Sequence, residues 1–285
     1  MQYLWIVFVV IYAFLKSSRD CMKKASLKRS SLYEVLFFYT LIGFLFTLSS
    51  LTEALALSPK YVFFIFIKSS FVCLAWFFSC LALDRMPVSL YGITDMSSVI
   101  FSMLLAVIAL GESLTLPKVA GAILVMAGLL LVNLKKTGKS EKASPLAVIF
   151  ALLYCFFNSF SGTLDKVLMK HMTSGQLQFW FMFFMSFIYG IVLIFRCRKE
   201  KLQIKALSKN FWIPLMSLSL VLGDKFLFEA NGSPYSEVTV MTVIKQSAVI
   251  MTVLLGWIIY REKNIPFKLF CCGIILCGIC VSLFA

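Results

Sequence analysis

Charge is scarce in this chain and histidine almost absent. Only 14% of its 285 residues are Asp, Glu, Lys or Arg, against about 25% in a soluble domain. With 61% hydrophobic residues and a mean hydropathy of +0.93, that shortage excludes an ordinary soluble fold and implies a polytopic membrane protein. No polar stretch is long enough to fold a separate soluble domain. The single histidine, His171, excludes a multi-histidine metal site. No basic region precedes the first apolar run, so a cleavable signal is not expected and the first helix is read as an anchor. A P-loop is missing too: Gly111-Glu112-Ser113 does not resemble G-x-x-x-x-G-K-[ST], which argues against ATP as the energy source.

Acidic residues are the scarcer sign, 13 against 27 basic ones, for a net charge of +14. Such a balance suggests nucleic acid at first sight. Most of the basic residues, however, sit in short loops between apolar segments, where they orient helices, so no nucleic-acid partner is expected. Most of the nine cysteines lie in apolar segments and read as small hydrophobes, Cys277-x-x-Cys280 included. No metal and no cofactor are expected.

What is present is an internal duplicate. Residues 95–112, DMSSVIFSMLLAVIALGE, align without a gap with residues 245–262, KQSAVIMTVLLGWIIYRE, at seven identities in 18 positions. Apolar matches arise by chance, so Glu112/Glu262 carries much of the weight. A spanning helix needs about 20 mainly apolar residues. Breaks at charges, Pro and Gly divide the chain into ten candidates, at 2–22, 32–51, 61–83, 87–110, 116–134, 145–168, 175–195, 211–230, 234–260 and 266–284. Pro87, Pro117, Pro145, Pro234 and Pro266 stand at or near segment starts, where a missing N–H costs least. The polar linker KKTGKSEKAS, 135–144, separates two five-helix halves, 1–134 and 145–285. Five is odd, so homologous halves must lie inverted in the membrane. The predicted fold is therefore an all-α membrane protein of ten helices in two inverted repeats. Lys and Arg number 20 in the odd loops and three in the even loops, which predicts odd loops in the cytoplasm and both termini outside.

Charges inside apolar segments are costly and mark candidate sites. Lys68, Asp95, Lys245 and the consecutive Asp224-Lys225 are the deepest. Tyr91 shares a helical face with Asp95, and Thr242 with Lys245. Trp76 lies on the Lys68 patch. Tyr154, Asn158, Ser161, Gly162 and Asp165 form a stripe that Tyr12, Lys16, Arg19, Asp20 and Lys23 repeat at an offset of 142. Arg19, Lys23 and Lys24 are nevertheless read as loop-facing, topology-setting charges. The repeat alignment matches Asp95 with Lys245, and an ion pair across the pseudo-two-fold axis is expected. Of Asp224 and Lys225, which point about 100° apart, at most one is expected to be central. The substrate-site candidates are thus Lys245, Asp95, Lys68, Asp224, Lys225, Tyr91, Thr242, Asn158, Tyr154 and Trp76.

The runs LLAVIALGE (104–112) and LLGWIIYRE (254–262), each followed by a Gly-containing apolar segment, resemble the EamA-type members of the drug/metabolite transporter superfamily. The resemblance covers nearly the whole chain. It implies a cavity among helices one to four and six to nine, with five and ten as outer scaffold. Family members often carry Pro within helices four and nine. Here Ser97-Ser98 and Ser247 stand in that region, so a Pro-dependent irregularity is not expected.

These readings converge on a secondary transporter of the cell membrane, working by alternating access on a small polar solute. A slight cationic excess favours an anionic or zwitterionic metabolite, with a coupling proton carried on Asp95 or Asp224. The alternative is a flippase for a lipid phosphate or lipid-linked sugar, which requires a side opening. An enzyme is not expected, because His171, in LMKHMTSG, has no nearby carboxylate in sequence except Asp165. Apart from the bilayer and the substrate the sequence names no partner, and it leaves a homodimer open.

Overall fold

Apolar runs broken by turn signals become helices end to end. The computed structural model describes residues 4–110, 115–134, 144–169, 171–197, 210–232 and 238–284. Among these there is no strand. The helices are α1 (Leu4–Leu27), α2 (Leu32–Phe46), α3 (Leu51–Leu55), α4 (Pro59–Arg85), α5 (Val88–Asp95), α6 (Ser98–Leu110), α7 (Leu116–Leu134), α8 (Pro145–Leu168), α9 (Ser174–Cys197), α10 (Trp212–Gly232), α11 (Val238–Tyr260) and α12 (Ile265–Phe284). Each of the ten candidate segments is helical where described, and two are broken. The second is α2 and α3, bent by 46° about a short 3₁₀ turn at Leu48–Ser50. The fourth is α5 and α6. Among the described residues, four helical stretches are individually long and apolar enough to span a bilayer, or five with the bent pair counted as one.

Local chemistry sets the starts. Ser31 opens α2 with a capping box, its hydroxyl accepting from Glu34 N while Glu34 accepts from Ser31 N at 3.0 Å. Thr173 and Gln176 do the same for α9. Pro59 and Pro145 occupy first-turn positions. Pro234 lies outside the described residues.

Helix packing shows a reciprocal pattern. The first segment packs on the eighth (α1 on α10), and the third on the sixth (α4 on α8). The first also packs on the ninth (α1 on α11), and the fourth on the sixth (α6 on α8). The second meets the seventh (α2 on α9), and the fifth meets the tenth (α7 on α12). Exchanging segments one to five with six to ten maps this contact set onto itself.

The α7–α12 crossing depends on glycine. A Cβ on Gly128 would lie 2.4 Å from Ile275, and one on Gly278 would lie 2.7 Å from the Gly121 carbonyl oxygen. Gly273, on the same helix as Gly278, has nothing within 4 Å of where its Cβ would be. The outward faces of the bundle carry large apolar side chains, among them Ile108, Ile123, Phe187, Phe195 and Ile258.

Candidate functional site

Ionic groups line the inside of this apolar bundle. Asp95 ends α5, and its carboxylate accepts from Lys16 Nζ of α1 at 2.6 Å. This corrects the expected Asp95–Lys245 pair. α1 packs against both α5 and α11, so its lysine reaches Asp95 before a symmetry-related residue does. Lys245 lines the same crevice and is close enough to Asp165 and Asp224 to act on both electrostatically.

A second pair joins the halves. Lys68 of α4 is buried, 2.6 Å from Asp165 of α8 and 4.2 Å above the Phe181 ring. Lys68 therefore does not snorkel outward. Its neighbour Trp76 packs edge-on to Phe181 and against Tyr39.

A third group centres on Lys23, which is buried rather than loop-facing. It donates to Ser79 Oγ at 3.0 Å and lies 3.9 Å from Asp20. Ser79 in turn bonds the Tyr91 hydroxyl at 2.7 Å, and the Tyr91 and Tyr154 rings lie 5.7 Å apart. Lys24 leaves the loop as well, donating to the Met86 carbonyl at 2.6 Å. The first candidate segment stopped at 22, but α1 continues through Lys23 and Lys24 to Leu27.

Arg19 is half-buried near Tyr39, Asp224, Tyr12 and Asp20, without an ion pair inside 4 Å among the described residues. Asp224 is half-buried and Lys225 exposed. Consecutive helical residues diverge by about 100°, so the ionic interior receives only the aspartate. Asn158 is half-buried on α8, and the side chain of Thr242 lies outside those described.

Lys16, Asp20, Gly92, Asp95, Lys245 and Thr252 surround a narrow crevice of ≈ 10 Å³, about the space that admits one water. Gly92 permits the α5–α11 approach, since a Cβ there would meet Thr252 at 2.8 Å. Thr252 returns its hydroxyl to the Ala248 carbonyl. Immediately after Asp95 the helix breaks. Met96 N and Ser97 N bond carbonyls three residues back, as do Val99 N and Ile100 N. The irregular backbone absent from the sequence expectation is therefore present without Pro in the fourth segment, whereas α11 runs unbroken through Ser247. The Ser97 hydroxyl is buried in the break.

The duplicated Glu has a structural duty. Glu262 is buried and accepts from Val88 N at 2.8 Å, Ser89 N at 3.3 Å, the Ser89 hydroxyl, and Lys268 Nζ at 3.1 Å. It caps the first turn of α5 from the other half of the chain. Glu112 lies outside the described residues.

Lys16, Arg19, Asp20, Lys23 and Asp165 were not among the sequence-derived site residues. Their signal in the sequence is the stripe repeated at offset 142, but charge density near a segment end reads as loop. Elsewhere His171 is exposed and stacks on Tyr61 at 5.3 Å. Among the described residues no three His, Cys, Asp or Glu groups converge on a metal site.

A bundle apolar outside and ionic within is a multi-pass integral membrane protein. Residues 3–134 and 145–284 match the model of the EamA-like transporter family, and the chain belongs to that family of the drug/metabolite transporter superfamily. A crystal structure of a protein 15% identical in sequence superposes with a TM-score of 0.63, covering 97% of this chain and 95% of the other. At that identity the likeness concerns the fold. No curated protein matches the chain.

Proposed function

We propose that the protein is a secondary transporter for a small anionic or zwitterionic metabolite. Its two halves, each of five membrane-crossing segments and inverted relative to one another, rock about the Lys16–Asp95 region by alternating access. The observation that carries this reading is the charge placement. Lys16, Arg19, Lys23, Lys68 and Lys245 meet Asp20, Asp95, Asp165 and Asp224 between the halves. Burying this many charges in a 285-residue membrane protein is expensive, and a pathway for a charged solute is the use that justifies it. The one-cation excess favours a solute with a carboxylate or phosphate. The exchange-invariant packing pattern fits inverted halves.

Asp224, which has no ion pair inside 4 Å among the described residues, is the carboxylate proposed to carry a coupling proton. Purified protein in liposomes tests the whole reading. Labelled organic acids, phosphorylated metabolites and amino acids should enter in exchange for internal solute, while organic cations should not. Asp224→Asn should stop uptake driven by a pH gradient and leave exchange intact. Cation-only transport would sink the substrate class. Unchanged pH-driven uptake in Asp224→Asn would sink the proton role.

A further inference from the structure

We propose that the protein binds one anionic phospholipid in a groove on its lipid-facing side, away from the transport crevice. The groove lies between α1, α10 and α11 and has a volume of ≈ 290 Å³, at the small end of ligand sites. Phe14, Met22, Trp212, Leu215, Leu255 and Tyr260 are among its walls. It shares no lining residue with the crevice around Asp95, so its ligand is not cargo on the same path. An apolar groove in a bilayer accepts any acyl chain. Selection for a headgroup needs charge at one end, and this groove has it.

Lys24 Nζ and Lys28 Nζ lie 5.5 Å and 5.1 Å from the centroid of the Tyr260 ring that walls the groove. Arg29 lies 5.8 Å from the Phe211 ring, and the Phe211 ring lies tilted 4.4 Å from that of Trp212, another wall. Three cations on two aromatic platforms thus surround one mouth. Lys28 and Arg29 are exposed and form no ion pair inside 4 Å among the described residues. The carboxylates nearest Lys24 electrostatically are Glu262 and Asp84. Glu262 is already engaged by Lys268 and the α5 N-terminus, and Asp84 is exposed. The mouth therefore keeps positive charge for a phosphate diester. An acyl chain would run between Met22 and Leu215, with the headgroup against Lys28 and Arg29. On the proposed orientation this mouth faces the cytoplasmic leaflet, where anionic lipids concentrate.

The test is a binding measurement on purified full-length protein and is independent of transport. Brominated-chain phosphatidylglycerol should quench tryptophan more strongly than brominated phosphatidylcholine. The difference should shrink in Trp212→Phe. Lys28→Gln and Arg29→Gln, on the exposed rim, should each weaken the preference for phosphatidylglycerol by about fivefold, the equivalent of about 1 kcal/mol per basic residue. Ala25→Phe, which fills the groove, should abolish Trp212-dependent quenching while far-ultraviolet circular dichroism stays unchanged. Equal quenching by the two lipids, or rim variants with unaltered preference, would overturn the proposal. So would inorganic phosphate competing as well as the lipid does, since the site would then bind a free anion.

Discussion

Lys16 and Asp95 show how the pairing of single residues is decided. A carboxylate buried at a helix break needs a cation within reach, and α1 supplies it at 2.6 Å. Removing one partner leaves a buried charge uncompensated, at a cost of about 3–5 kcal/mol. Lys16→Met and Asp95→Asn should therefore each lower the stability of detergent-solubilised protein by that order. The double variant should regain most of it. Lys245→Met should show no such rescue with Asp95→Asn. A rescue there, and none with Lys16→Met, would restore the Asp95–Lys245 pairing expected from the repeat. Lys68 makes the same point about depth. Its position well inside a segment was visible in sequence, but whether it snorkels or turns inward depends on whether α8 presents Asp165 to it.

At the scale of elements, two junctions hold the halves together, and each has a discriminating variant. Gly278 faces the Gly121 carbonyl too closely for a Cβ, whereas Gly273 faces open space. Gly278→Ala should destabilise by about 1–3 kcal/mol through overpacking. Gly273→Ala, on the same helix, should be neutral or stabilise by about 0.5–1 kcal/mol through the better helix propensity of alanine. Thermal unfolding of the two variants side by side checks this, and equal effects would remove the close-packing argument. The second junction is Glu262 at the start of α5. Glu262→Ala deprives Val88 N and Ser89 N of their acceptor and removes the carboxylate paired with the buried Lys268. A loss of about 3–5 kcal/mol is expected, partly recovered by adding Lys268→Met. The Glu of the repeated run is thus explained as a helix cap that reaches into the other half. Lys268 has its own counterpart at the same offset of 150, Lys118. The break after Asp95 arises without proline, so a motif search for Pro would miss it. The helix-terminating i to i−3 bonds at Met96 and Ser97 join backbone groups alone, with no single residue type as signature.

For the molecule as a whole, orientation is the open physical question that charge counting addresses. Lys16, Arg19, Lys23 and Lys268 were counted among loop charges but lie in or against the bundle. Removing them reduces the odd-loop total from 20 to 16, against three in the even loops. The bias survives, and both termini are still expected outside. A C-terminal reporter that is active only in the cytoplasm should stay silent on membrane-integrated protein, and full activity would reverse the orientation.

By itself the sequence determined the membrane class, the helical segments and the likeness of 95–112 to 245–262. Each follows from local quantities: hydropathy over about 20 residues, turn residues at segment ends, and identity at a constant offset. The family followed from the same runs. Which charges face one another was decided only by tertiary structure. Helical periodicity places a side chain on a face, but the face gains meaning only when another helix packs against it. Lys23 read as a loop-facing charge, and Lys16 and Asp165 stood outside the site candidates, until α1 and α8 were seen to carry them into the bundle beside α4 and α5. Lys225 read as a site residue until the 100° step from Asp224 was fixed against α1, leaving the lysine exposed.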